Sequence, residues 1–127
     1  MEEKKLILVV DDMVTDLVSE RAILEKQFNV RICKSVGTAL KMLETLNIDL
    51  ILLDIEMPGM SGFEFLHTIK KFRKYWSIPI VIVSSHNSEE VFSYALKQGA
   101  DDCVSKPINS EELLGKIQKV LMQRRGD

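Results

Sequence analysis

The chain has 127 residues, the length of a single domain. Hydrophobic residues make up 46% and charged residues 28%, ordinary for a globular protein with a real core. A net charge of −2 argues against a nucleic-acid footprint over the whole surface. The longest apolar runs are strand-sized, far short of the ~20 residues of a membrane span. Met1-Glu2-Glu3-Lys4-Lys5 has mixed charge, and no small-residue cleavage site follows the first apolar run, so no signal peptide is expected. Cys33 and Cys103 are the only cysteines and form no CxxC or Cys/His cluster. Two lone thiols fit a reducing cytoplasm better than a disulfide framework.

The first apolar run predicts a strand over 5–10, closing on Asp11 and Asp12. A helix is expected near 14–27. Asn29-Val30-Arg31-Ile32-Cys33 alternates and reads as an edge strand. The next helix, 36–46, carries Val36, Ala39, Leu40 and Leu43 at i, i+3, i+4, i+7. A fully apolar strand follows at 49–53, with Asp54 just beyond it. Ser61-x-x-Glu64 looks like a capping box opening a helix over 61–74. The cluster Lys70-Lys71, Arg73-Lys74 at its far end reads as a solvated helix terminus.

Another apolar strand, 79–84, ends on Ser84. The helix predicted over 88–98 has one stripe of Phe92, Ala95, Leu96 and Gly99 and a partial second of Val91, Tyr94 and Ala95. Phe92 is expected in the core and Tyr94 at a partner contact. The short, mixed segment 102–105 reads as the other edge strand and leads into Lys106-Pro107, a candidate cis peptide. Asn109-x-x-Glu112 then opens a helix over 110–124, striped by Leu113, Leu114, Ile117, Val120 and Leu121. Strict β/α alternation demands a parallel sheet with helices on both faces. Apolar central strands 1, 3 and 4 between edges 2 and 5 give the α/β doubly wound order 2-1-3-4-5. One domain over 1–127 is expected, with no internal repeat. The tail Gln123-Arg124-Arg125-Gly126-Asp127 reads either as a natural end or as the start of a linker.

Residues closing parallel strands gather along the carboxyl edge of the sheet, where such folds bind ligands. That edge should hold Asp11, Asp12, Asp54, Ser84 and Lys106. Three converging carboxylates call for a hard cation, and oxygen ligands of this kind suit Mg²⁺ beside a phosphate. Phosphoryl transfer to a carboxylate uses each residue. Asp54 is the expected nucleophile and Asp12 the direct metal ligand, with Asp11 beside it or acting through water. Lys106 offers a point charge, and the Ser84 hydroxyl a donor, to phosphoryl oxygens.

These motifs carry a resemblance. Asp11-Asp12, the run Asp54-Ile55-Glu56-Met57-Pro58-Gly59-Met60-Ser61-Gly62-Phe63-Glu64, Ser84-Ser85, Gly99-Ala100-Asp101-Asp102 and Lys106-Pro107 resemble the receiver domain of two-component response regulators, of which the chemotaxis regulator is the stand-alone prototype. The resemblance runs end to end and implies a flavodoxin-like fold. It implies that Asp54 accepts a phosphoryl group from a histidine kinase or a histidine phosphotransfer protein. It further implies a Mg²⁺ site, open to Mn²⁺ in substitution, made by Asp11, Asp12, Asp54 and the backbone carbonyl of Glu56. Ser84 resembles the switch hydroxyl and Lys106 the family's lysine. Glu56 and His86 occupy positions that modulate loss of the phosphoryl group. The family is regulatory, catalysing only its own phosphorylation and dephosphorylation.

The face made by the fourth helix, fifth strand and fifth helix commonly serves dimers or outputs, either a separate output protein or a further C-terminal effector domain. Cys103 departs from the pattern, since receivers usually carry Tyr or Phe there and a small thiol cannot fill that volume. An Asp-nucleophile phosphatase, with Glu56 as general acid, and a degenerate receiver serving as a constitutive interaction module are the competing readings. A flavin-binding protein is disfavoured, because no Ser/Thr/Gly-rich loop follows the first strand.

Overall fold

A computed structural model describes residues 4–56, 62–85 and 89–125. Five strands, β1 (Leu6–Val10), β2 (Asn29–Cys33), β3 (Leu50–Asp54), β4 (Ile80–Ser84) and β5 (Asp102–Ser105), form one parallel sheet in the order β2-β1-β3-β4-β5. They alternate with helices α1 (Val14–Leu24), α2 (Val36–Thr45), α3 (Gly62–Lys71), α4 (Glu89–Lys97) and α5 (Ser110–Arg125). This is the doubly wound fold expected from the alternation of apolar runs and helical stripes.

Burial follows the strand types. β3 and β4 are buried at every position and β1 at all but its first residue, whereas β2 alternates and β5 is buried only at its two middle positions. Alternate residues of each strand feed opposite cores. Leu8, Val10, Ile51, Leu53, Ile80 and Ile82 pack with residues of α2, α3 and α4. Ile7, Val9, Leu50, Leu52, Val81 and Val83 pack with Leu17, Leu24, Leu113, Ile117 and Val120 of α1 and α5.

Helix termini differ from the sequence-based bounds by a few residues, most at the carboxyl ends. α1 stops at Leu24 rather than residue 27, where the Gln27 and Phe28 amides both turn back to the Leu24 carbonyl. α3 ends at Lys71, and the following segment folds into turns whose carbonyls at Trp76 and Ile78 accept from the Lys70 ammonium. At α5 the Asn109 side chain accepts from the Glu112 amide at 2.9 Å, as a capping box requires, while the Glu112 carboxylate turns to Lys116 instead. Ser61, the other proposed cap, lies outside the described residues. In α4, Ala95 is buried and Phe92 packs against the core, but Leu96 is half exposed. The first of the two expected stripes, through Phe92, Ala95 and Leu96, is therefore narrower than its spacing suggests.

Candidate functional site

The carboxyl edge of β1, β3, β4 and β5 brings together five of the residues singled out above. Asp11 and Asp54 are nearly inaccessible at 1% and 4% exposure, and Ser84 is fully buried. One ligand oxygen each from Asp11, Asp12 and Asp54 lies within 4.8 Å of the others. Backbone amides fix the two buried carboxylates: Met13 N–H donates to Asp11 Oδ1 and Glu56 N–H to Asp54 Oδ1, each at 2.9 Å. Each bond spans two residues, the reach of an aspartate folding back on its own turn. Lys106 arrives from β5, its own amide donating to the Ser84 carbonyl at 2.9 Å, and the Lys106–Pro107 peptide is cis.

The Lys106 ammonium lies 2.8 Å from Asp16 Oδ2, 3.1 Å from Asp11 Oδ2 and 3.5 Å from Asp54 Oδ2. Burial alone would lower its pKa. Hydrogen bonds to Asp16 and Asp11, with the charges of Asp11 and Asp54, outweigh that and hold it above the ordinary lysine range. The Asp11 carboxyl is raised as well, but for it burial acts in the upward direction. Burial pushes its carboxyl up to about 6, helped by the Asp54 charge and opposed by the Met13 amide and Lys106. The surplus of negative charge among Asp11, Asp12 and Asp54 over one lysine is what a divalent cation would neutralise.

Ser84 and Glu56 form a second, linked group. Ser84 Oγ donates to Glu56 Oε1 at 2.7 Å, and the Ser85 amide and hydroxyl donate to the same carboxylate at 2.8 and 3.0 Å. The switch hydroxyl of the expectation is thus held by the residue two beyond Asp54. Cys103 is buried, its thiol 3.8 Å from the Phe92 carbonyl of α4. Burial, with the Asp102 charge, pushes that thiol up to about 11. His86 lies outside the described residues.

Gly62 explains how α3 meets the site. A Cβ there would come within 2.3 Å of the Ile55 Cα and 2.8 Å of the Asp54 carbonyl oxygen. Only glycine lets the helix start this close to the backbone carrying Asp54.

Two residues absent from the sequence reading belong to the same neighbourhood. Asp16, in the first turn of α1, is the nearest partner of Lys106. Glu20, one turn on, is 1% exposed, and neither of its carboxyl oxygens has a hydrogen-bond partner among the described residues. Burial, then the Asp11 charge, pushes Glu20 up to about 8. Its signal was present: Leu17, Glu20 and Leu24 occupy i, i+3, i+7, so a glutamate stands in the buried stripe of α1.

The response regulator receiver domain model matches residues 7–118. The chain belongs to that family. It is 34% identical over 116 residues to protein PilH of Pseudomonas aeruginosa, spanning 91% of this receiver and 96% of PilH. Over 124 residues it is 31% identical to the two-component response regulator ORR3 of Oryza sativa, at 96% and 95% coverage. The transcriptional regulatory protein CpxR homolog of Haemophilus influenzae is 36% identical over 120 residues, but this receiver spans only 50% of that protein. Among solved structures, a CheY-like receiver domain protein from Methanospirillum hungatei superposes with a TM-score of 0.87 at 34% identity, covering 98% of both chains. Receiver domains are regulatory parts of two-component systems, in line with the family expected from the motifs. Among the described residues, no helix is long and apolar enough to cross a membrane.

Proposed function

We propose that residues 1–127 work as one cytoplasmic receiver domain in which Asp54 accepts a phosphoryl group from a phosphohistidine on a partner kinase or phosphotransfer protein. The observation that carries this is the convergence of Asp11, Asp12 and Asp54 within 4.8 Å, with the Lys106 ammonium 3.5 Å from Asp54. Asp54 Oδ2 attacks phosphorus, the bond to the donor nitrogen breaks, and that nitrogen leaves with its electron pair. Asp54 Oδ1 stays oriented by the Glu56 amide. Asp11 and Asp12 would hold Mg²⁺, or Mn²⁺ in its place, with Asp54 and the Glu56 carbonyl completing the protein's ligands. When bound, the cation offsets the repulsion between carboxylate and phosphoryl group. Lys106 then pairs with a phosphoryl oxygen, and Ser84 leaves Glu56 to donate to another.

Release of Glu56 would free Ser84 and Ser85 at the end of β4. The altered surface would be the face of α4, β5 and α5, where Tyr94 and Leu96 are half exposed. That face offers itself to an output protein, a C-terminal effector domain or a second copy. On the other side of the site, Met13, Val14 and Val18 are each more than half exposed and suit docking of the phosphodonor protein. The phosphatase reading is weaker, because the Glu56 carboxylate is engaged by Ser84 and Ser85 and is not poised as a free general acid. The receiver reading is tested by intact-mass spectrometry after incubation with acetyl phosphate. One phosphoryl group should appear with Mg²⁺ and vanish with EDTA. A folded protein that gains nothing in Mg²⁺ and Mn²⁺ would contradict the function, and multiple turnover on phosphate esters would favour the phosphatase.

A further inference from the structure

We propose, resting on the receiver function above, that Asp16 is a positioning residue that draws the Lys106 ammonium toward α1 and competes with the phosphoryl group for it. The ammonium lies between two elements, and its partners are ranked by distance: Asp16 at 2.8 Å, Asp11 at 3.1 Å, Asp54 at 3.5 Å. The closest of the three belongs to neither the candidate phospho-acceptor nor the metal cluster. Asp16 is 37% exposed and Asp54 only 4%, so the lysine rests on the wetter side of the site.

A phosphoryl oxygen on Asp54 must draw this ammonium further from Asp16 than its 3.5 Å approach to Asp54 Oδ2 already does. That movement lengthens and weakens a charge-assisted hydrogen bond of 2.8 Å. Asp16 thereby penalises the phosphorylated form without touching the reacting atoms. Asp16 lies in the first turn of α1, where the helix dipole favours a negative side chain. The neighbouring Glu20 has no hydrogen-bond partner among the described residues, so its pull on Lys106 is through charge alone.

Beryllofluoride, a phosphoryl mimic that binds carboxylates without a donor reaction, tests the competition at equilibrium. With saturating Mg²⁺, Asp16→Asn should bind it about five-fold more tightly than wild type, the size expected for a partly exposed ion pair. Asp16→Glu, which restores the competing charge, should return toward wild type. In a Lys106→Met background, Asp16→Asn should have no effect, because its action runs through the lysine. Unchanged affinity in Asp16→Asn would overturn the proposal. The same gain in the Lys106→Met background would also overturn it, showing a general field effect rather than a positioned lysine. Wild-type protein that binds no beryllofluoride would instead refute the receiver function, and this inference with it.

Discussion

Glu20→Gln offers a stability experiment whose sign and size follow from one buried side chain. In the folded protein Glu20 keeps its proton up to a pH of about 8, whereas its ordinary value is 4.5. Between those values the unfolded chain has released a proton that the folded chain still binds, so stability falls as pH rises. Below pH 4.5 the effect is absent, and above pH 8 it is complete. At about 1.36 kcal/mol per pH unit, the window corresponds to a loss of at most roughly 5 kcal/mol, a large share of a domain's stability. Local opening of α1 sets a lower floor, so a loss of about 2–4 kcal/mol is expected in practice.

Glutamine has the shape of the protonated acid and does not titrate. In EDTA, urea unfolding of wild type and Glu20→Gln should therefore nearly coincide at pH 4.5. By pH 8 the variant should be more stable by about 2–4 kcal/mol. Glu20→Leu should show the same flattened dependence and a further gain, since it buries no unpaired oxygen. Parallel stability curves for wild type and Glu20→Gln from pH 4.5 to 8 would refute the reasoning.

Three further outcomes are expected. Mg²⁺ affinity, followed by calorimetry, should fall by roughly ten-fold between pH 7 and pH 5, because protons compete at Asp11, whose carboxyl is pushed up to about 6; a flat profile would contradict a role for Asp11 in the cation site. Gly62→Ala should lose about 1–3 kcal/mol in urea unfolding, since its Cβ would collide with the backbone of Asp54 and Ile55; wild-type stability would show that α3 can shift freely. Cys33 and Cys103 are both buried, each pushed up to about 11 chiefly by that burial, so roughly one thiol in a thousand is ionised at pH 8. Ellman's reagent should leave the native protein unmodified and label both thiols in guanidinium, and fast native labelling would overturn this.

The fold was legible because each strand announced itself in a different way. Leu6–Val10, Leu50–Leu53 and Ile80–Val83 could be buried on both faces only in the middle of a parallel sheet, while the alternation in Asn29–Cys33 marked an edge. Convergence of Asp11, Asp12, Asp54, Ser84 and Lys106 followed from their places just past those strands. What the sequence hid depended on side-chain reach. A lysine just past β5 choosing Asp16 on α1 is a contact between residues 90 positions apart, set by packing rather than spacing. Glu20 was hidden differently, since a glutamate in a helix is ordinarily solvated, and only the Leu17–Leu24 register places it inside. The Leu96 discrepancy has the same origin. Its spacing matches the α4 stripe, but the neighbouring Ala95 takes the contact with the sheet.

The central claim is that Asp54, and no other carboxylate of the cluster, carries the phosphoryl group. Borohydride reduces an acyl phosphate to an alcohol, turning a phosphorylated aspartate into homoserine. Wild-type protein treated with acetyl phosphate and Mg²⁺, reduced, digested and mapped by tandem mass spectrometry should contain homoserine at position 54 and unaltered aspartate at positions 11 and 12. Homoserine at position 11 or 12, or its persistence elsewhere in Asp54→Asn, would contradict the account.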